Sequence, residues 1–178
     1  MKKHWYVKYA GPVVILAFVI LGVLWSEHAP LVQCQVLREA IFSEISRAKE
    51  IRVVEHSNLL DYLPQDGTFH EEKIYTRVVL DEAQIAQLKK ALPLAFDYSA
   101  TRKSGCVFEP HHRIEITRKD NSVFIIEICL YCGDLDLGEG PRMLPEGWGT
   151  SLRTFFSSLS MRPDGPWTIG GNPSPSSK

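Results

Sequence analysis

Three of the chain's four cysteines and two of its six histidines fall in one stretch, CVFEPHHRIEITRKDNSVFIIEICLYCGD, from Cys106 to Asp134. Thiolates and imidazoles are the side chains that hold thiophilic metals and exchange disulfides, so this grouping is where chemistry would be sought first. Cys129 and Cys132 are three apart and would point to opposite faces of a continuous strand. They can act together only if the strand stops near Leu130, and Gly133 and Asp134 supply a turn there.

Four readings of the stretch stay open. A C-x-x-C turn at a strand end is the geometry of a zinc knuckle, and Cys106 with His112 or His111 would complete a tetrahedral Cys₃His shell for zinc or copper(I). In an oxidising compartment a disulfide would form among Cys106, Cys129 and Cys132 and leave one thiol over. The cysteines could instead be reduced and packed beside a hydrogen-bonded core histidine. The fourth reading is thiol-disulfide exchange by Cys129 and Cys132. Against it, a redox C-x-x-C normally opens a helix whose N-terminus lowers the thiolate pKa, and here DLGEGPRMLPEGWG reads as a Gly/Pro-rich loop.

The alternation C-x-F-x-P-x-H-x-I, followed by a hairpin and I-C-x-x-C, resembles a pattern in small, uncharacterised bacterial proteins, many of them exported. Its positions here are Cys106, Phe108, Pro110, His112, Ile114, Cys129 and Cys132, about thirty residues of the chain. The resemblance implies that these residues belong together and favours His112 over His111. It implies no activity.

Elsewhere the signals are weaker. His56, His70, His111 and His112 have no recognisable Ser or Cys nucleophile motif beside them. Asp134, Asp136 and Glu139 lack the EF-hand spacing needed for calcium and read as a solvated acidic loop.

The elements that must position the cluster follow from periodicity. From Pro30 onward, Cys34, Leu37, Ile41, Ile45 and Ala48 form one helical stripe. Two β-branched runs, Ile51 to His56 and Lys73 to Leu80, read as strands. In LDEAQIAQLKKALP, Asp81 caps a helix with Gln84 three residues on. Ile85, Leu88 and Leu92 are its buried stripe, and Pro93 ends it. Arg113 to Thr117 and Val123 to Leu130 make a hairpin over Lys119 to Asn121. The apolar faces then align with Ile114 opposite Ile126 and Ile116 opposite Phe124. That register sets Arg113 against Glu127, turns His112 toward the core opposite Ile128, and turns His111 outward opposite Cys129. TSLRTFFSSLS reads as a last amphipathic helix. The expected fold is α+β, an antiparallel sheet of about four or five strands with helices on one face.

The totals set the surroundings. With 20 Lys+Arg against 21 Asp+Glu, and no cluster of either sign, the charge gives no reason to expect nucleic acid as a partner. YAGPVVILAFVILGVLW, residues 9–25, is uncharged and just long enough to span about 30 Å of hydrocarbon as a helix. Lys2, Lys3 and Lys8 precede it and Glu27 follows. By the positive-inside rule it is a single-pass anchor in the inner or cytoplasmic membrane, with the C-terminal domain outside the cytoplasm. A cleaved signal peptide and a lipoprotein ending at Cys34 are the competing readings, and both lack a good cleavage sequence. The expected organisation is a cytoplasmic N-terminus (1–8), the anchor (9–25), an α+β domain (31–162) and a disordered tail (163–178). The expected role is binding or structural, with the Cys/His cluster as a disulfide or metal staple. The alternative is a thiol-disulfide oxidoreductase.

Overall fold

The computed structural model describes residues 34–58, 61, 71–94, 106–145 and 147–164. The anchor expected at 9–25, His70 and the tail beyond Asp164 lie outside these residues. Among the described residues no helix is long and apolar enough to cross a membrane.

The first element is helix α1 (residues 34–47), whose apolar positions Cys34, Leu37, Ile41 and Ile45 are all buried. Spacings of three and four place these side chains on one stripe, which is why a single face is covered. The chain continues directly into strand β1 (Ala48–His56), then β2 (Ile74–Val79). Helix α2 (Glu82–Lys90) begins at Asp81, whose side chain accepts from the Gln84 backbone N–H, while the Gln84 side chain accepts from the Asp81 N–H. This reciprocal capping box satisfies two amides that the first helical turn leaves without partners. Removing half of it in Asp81→Ala should cost about 1 kcal/mol. An unchanged urea midpoint would show that the cap carries no stability here.

Strands β3 (His112–Arg118) and β4 (Val123–Cys129) form the hairpin in the expected register, with Ile114 opposite Ile126, Ile116 opposite Phe124, and His112 opposite Ile128. Asn121, in the turn, takes a left-handed φ of 65°, a conformation that asparagine tolerates better than most residues. Two further strands, β5 (Asp134–Asp136) and β6 (Arg142–Met143), occupy the segment read from sequence as loop. They correct that reading. The Asp136 carboxylate accepts from the amides of Gly138, Glu139 and Gly140, which folds the intervening residues into a tight connection and lets β6 return alongside β5. Helix α3 (Trp148–Ser158) closes the domain, starting two residues before the expected Thr150.

Among the described residues the fold is therefore α+β, built on an antiparallel sheet of six strands, where about four or five were expected, in the order β2-β1-β3-β4-β5-β6. One face carries Ile51 and Val53 of β1, Ile114 and Ile116 of β3, Ile126 and Ile128 of β4, and Leu135 of β5. These form one core with the buried stripes of α1, α2 and α3. Trp148 of α3 is fully buried in that core and donates its indole N–H to the Pro93 carbonyl at 2.7 Å, tying α3 to the end of α2. A buried tryptophan needs such an acceptor for its one polar atom.

Candidate functional site

The last residues of β1, the first of β3, the last of β4 and the first of β5 all meet at one end of the sheet. The backbone locks them together there: the His56 N–H donates to the His111 carbonyl at 3.0 Å. Successive strand residues face opposite ways, so each adjacent polar pair, Glu55-His56 on β1 and His111-His112 at the start of β3, serves both faces.

On the core face, Glu55 and His112 stand opposite each other, each only 1% exposed. The Arg162 guanidinium donates to Glu55 Oε1 at 2.6 Å and lies 4.7 Å from the centroid of the Tyr75 ring. A buried carboxylate is tolerable only with such a charged partner. The His112 ring stacks on Phe156 of α3, centroids 4.5 Å apart and planes within 10°. Burial pushes the His112 pKa down to about 3, and the nearby charges of His111, His56 and Arg162 push the same way. His112 is therefore a neutral core ring near neutral pH.

On the outer face, His56 Nδ1 lies 3.0 Å from the Ser57 carbonyl oxygen and 3.2 Å from Glu72. Its Nε2 lies 3.3 Å from a Glu127 oxygen, an electrostatic approach rather than an aligned hydrogen bond. Burial alone would lower the His56 pKa, but the contacts with Glu127 and the Ser57 carbonyl and the charge of Glu72 outweigh it and raise the pKa. Arg113 extends the network by pairing with both Glu72 and Glu115. Although Arg113 sits opposite Glu127 in the register as expected, the ion pairs formed are Arg113 with Glu72 and Glu115, and Glu127 with His56. Beside this network His111 Nε2 lies 2.9 Å from Asp61, both side chains about one-tenth exposed.

Glu127→Gln should lower the His56 pKa, because it removes the largest favourable contact of the imidazolium. Histidine NMR titration reads this directly. The sign for stability follows: a raised folded pKa contributes below the unfolded value of about 6.5, and the contribution is lost as pH rises through the folded pKa. The substitution should therefore cost more stability in mild acid than in mild alkali, and an equal cost at both would contradict the pairing.

The cysteines complete this end. Strand β4 stops at Cys129, and residues 130–133 turn, closed by the Gly133 N–H donating to the Cys129 carbonyl at 2.9 Å. Gly133 takes φ of 74°, the left-handed conformation that releases the chain into β5. Arg153 of α3 donates to the Leu130 carbonyl at 2.6 Å and holds the turn against the helix. Cys106 and Cys132 are joined as a disulfide, their Cα atoms 5.7 Å apart. Cys129 is a free, buried thiol whose sulfur lies 3.3 Å from the Cys132 backbone nitrogen.

Of the residues singled out from sequence, Cys106, Cys129, Cys132, His111 and His112 thus gather at one end of the fold. As arranged, they do not make one ligand shell. Two sulfurs are spent in the disulfide, and His112 is paired with Ile128, so it faces away from the side to which the next residue, Cys129, points. Among the described residues no group of three or more His, Cys, Asp and Glu is placed to hold a metal ion. Asp134, read from sequence as part of a solvated loop, is 1% exposed and sits in β5 opposite Cys129, which corrects that reading. The His56 network and the Asp61 partner of His111 were not found from sequence. The available signal was Glu55 and His56 ending an apolar strand run, where charged side chains need partners.

A groove of about 430 Å³ lies between α2 and α3, lined by Gln87, Lys90, Thr150, Ser151, Thr154 and Ser158 among others. It holds one titratable group, Lys90, and so offers no acid–base pair. No known family model, curated protein or solved structure matches the chain.

Proposed function

We propose that this chain is a membrane-tethered binding or structural domain held outside the cytoplasm, with the Cys106–Cys132 disulfide as the staple of its functional end. The disulfide carries the reading. It ties the segment leading into β3 to the turn after β4, across 26 residues of chain. Such bonds persist in oxidising compartments, which agrees with an anchor at residues 9–25 that places the rest of the chain outside. The histidines among the described residues support a non-catalytic role, because each is engaged: His56 by Glu72 and Glu127, His111 by Asp61, and His112 by the Phe156 ring.

One contact favours a second reading, thiol-disulfide oxidoreductase. The Cys132 amide lies 3.3 Å from the Cys129 sulfur, so the two cysteines of the C-x-x-C meet within one turn. Against it, the C-x-x-C turn leads into strand β5, so no helix N-terminus activates Cys129.

Full-length protein in detergent, assayed for catalysed reduction of a small aromatic disulfide with glutathione as reductant, separates the two. The staple reading expects no rate above the glutathione background. A catalysed rate that Cys129→Ser abolishes, with the urea midpoint unchanged, would overturn it in favour of the oxidoreductase.

A further inference from the structure

We propose that Cys129 is an internal nucleophile for the Cys106–Cys132 disulfide, so that the bond can migrate to Cys129–Cys132 and set Cys106 free. The proposal rests on the staple reading in one respect, that the bond drawn from Cys106 to Cys132 is the starting state.

Three observations carry it. First, the Cys129 sulfur is held 3.3 Å from the backbone nitrogen of Cys132, the residue that bears the disulfide, within a turn closed by the Gly133 to Cys129 hydrogen bond. The turn thus holds the thiol beside the residue whose sulfur it would attack, and the attacking form is the thiolate. Second, the sulfurs differ in accessibility. Cys129 and Cys132 are 1% and 2% exposed, Cys106 is half-buried, and the flanking Val107 and Tyr131 are open to solvent. A thiol arriving from outside meets Cys106 first, whereas Cys129 approaches Cys132 from within. Third, the remaining thiol cannot compete: Cys34 lies in the core with the helix stripes, on the other side of the sheet from Cys129.

The step balances without any added oxidant. The Cys129 thiolate attacks the Cys132 sulfur, the new S–S bond forms as the old one breaks, and the electron pair leaves on Cys106. Cys106 then takes up from solvent the proton that Cys129 gave away, and the count of disulfides is unchanged. The turn itself need not open, because Arg153 on the Leu130 carbonyl and the pairing of Asp134 with Cys129 hold it on both sides. What is released is the covalent tie between the segment before His112 and the turn.

The sequence makes the two states easy to tell apart. Trypsin leaves Cys106 on peptide 104–113 and both Cys129 and Cys132 on peptide 120–142. The starting state therefore gives two linked peptides, and the migrated state gives one peptide with an internal disulfide. Full-length oxidised protein in detergent, held without reductant at mildly alkaline pH, would be sampled over hours, alkylated under acid quench and digested without reduction. The expected result is internally bonded 120–142 together with alkylated 104–113, accumulating faster at higher pH and absent from Cys129→Ser. Cys106→Ser in glutathione buffer should form the internal bond outright. Persistent 104–113/120–142 linkage as the sole product, with Cys129 alkylated throughout, would overturn the migration while leaving the staple intact. Alkylation of all cysteines without reduction would overturn the staple and the migration together.

Discussion

Acidification from about pH 7 to about pH 4 should destabilise the domain by about 3 kcal/mol through the His112 ring alone. The sign follows from the direction of the shift. The folded pKa, about 3, lies below the unfolded value of about 6.5, so the unfolded chain takes up this proton first. Stability from this group is intact above about 6.5 and is lost progressively as pH falls toward 3. Burial is the main reason that the ring resists protonation, and the charges facing it add to this: His111 precedes it in the chain, His56 lies at the end of the neighbouring strand and Arg162 beside it, with Glu55 opposite but already paired with Arg162. His56, whose pKa is raised, acts in the opposite direction and offsets part of the loss. His112→Phe keeps an aromatic ring on Phe156 and removes the titration. Its urea midpoint should fall much less between the two pH values than that of the unaltered chain. Parallel losses in both proteins would place the acid sensitivity elsewhere.

Breaking the staple should have an effect of similar size. Closing a loop of 26 residues restricts the unfolded chain enough to contribute about 3 kcal/mol in the chain-entropy account. Cys106→Ser should lower the urea midpoint accordingly, and reducing agent should lower that of the unaltered protein to a similar level. Reductant should then have little further effect on Cys106→Ser. A midpoint for the unaltered protein that is indifferent to reductant would show that the bond contributes nothing to stability. The effect is expected to concentrate at the end of the sheet that carries the 106–132 linkage, since the first residues of β1 pair with the last of β3 at the other end. Hydrogen exchange should show faster opening around 106–112 and 129–134 than in the first residues of β1.

The hairpin was legible in the sequence down to its register, because two alternating apolar faces and a short polar turn leave one alignment that buries both. The end of β4 was legible to within a residue, expected at about Leu130 and found at Cys129, because glycine and aspartate follow as turn residues. Strands β5 and β6 were not, since three and two residues among glycines and prolines carry no readable period. Arg113 stands opposite Glu127 as read, but its ion pair with Glu72 was not legible, because a long guanidinium side chain reaches past its cross-strand neighbour to a residue ahead of β2 that only the folded arrangement brings near. The same holds for His56 and His111. Their type marks them as titratable, yet their partners Glu127, Glu72 and Asp61 come from distant segments. No local pattern encodes that meeting.

The strand order has a consequence for the sequence of events during synthesis. Strand β1 sits between β2 and β3, so one of its two edges waits for residues His112–Arg118 long after Ala48–His56 has left the ribosome. Until then a strand rich in isoleucine and valine offers open amides and carbonyls to any other nascent chain. The local β3–β4 hairpin needs no such wait and forms as a ready-made template. The domain's vulnerable interval is therefore the docking of β1 onto that template, and a chaperone would be needed most between those two moments.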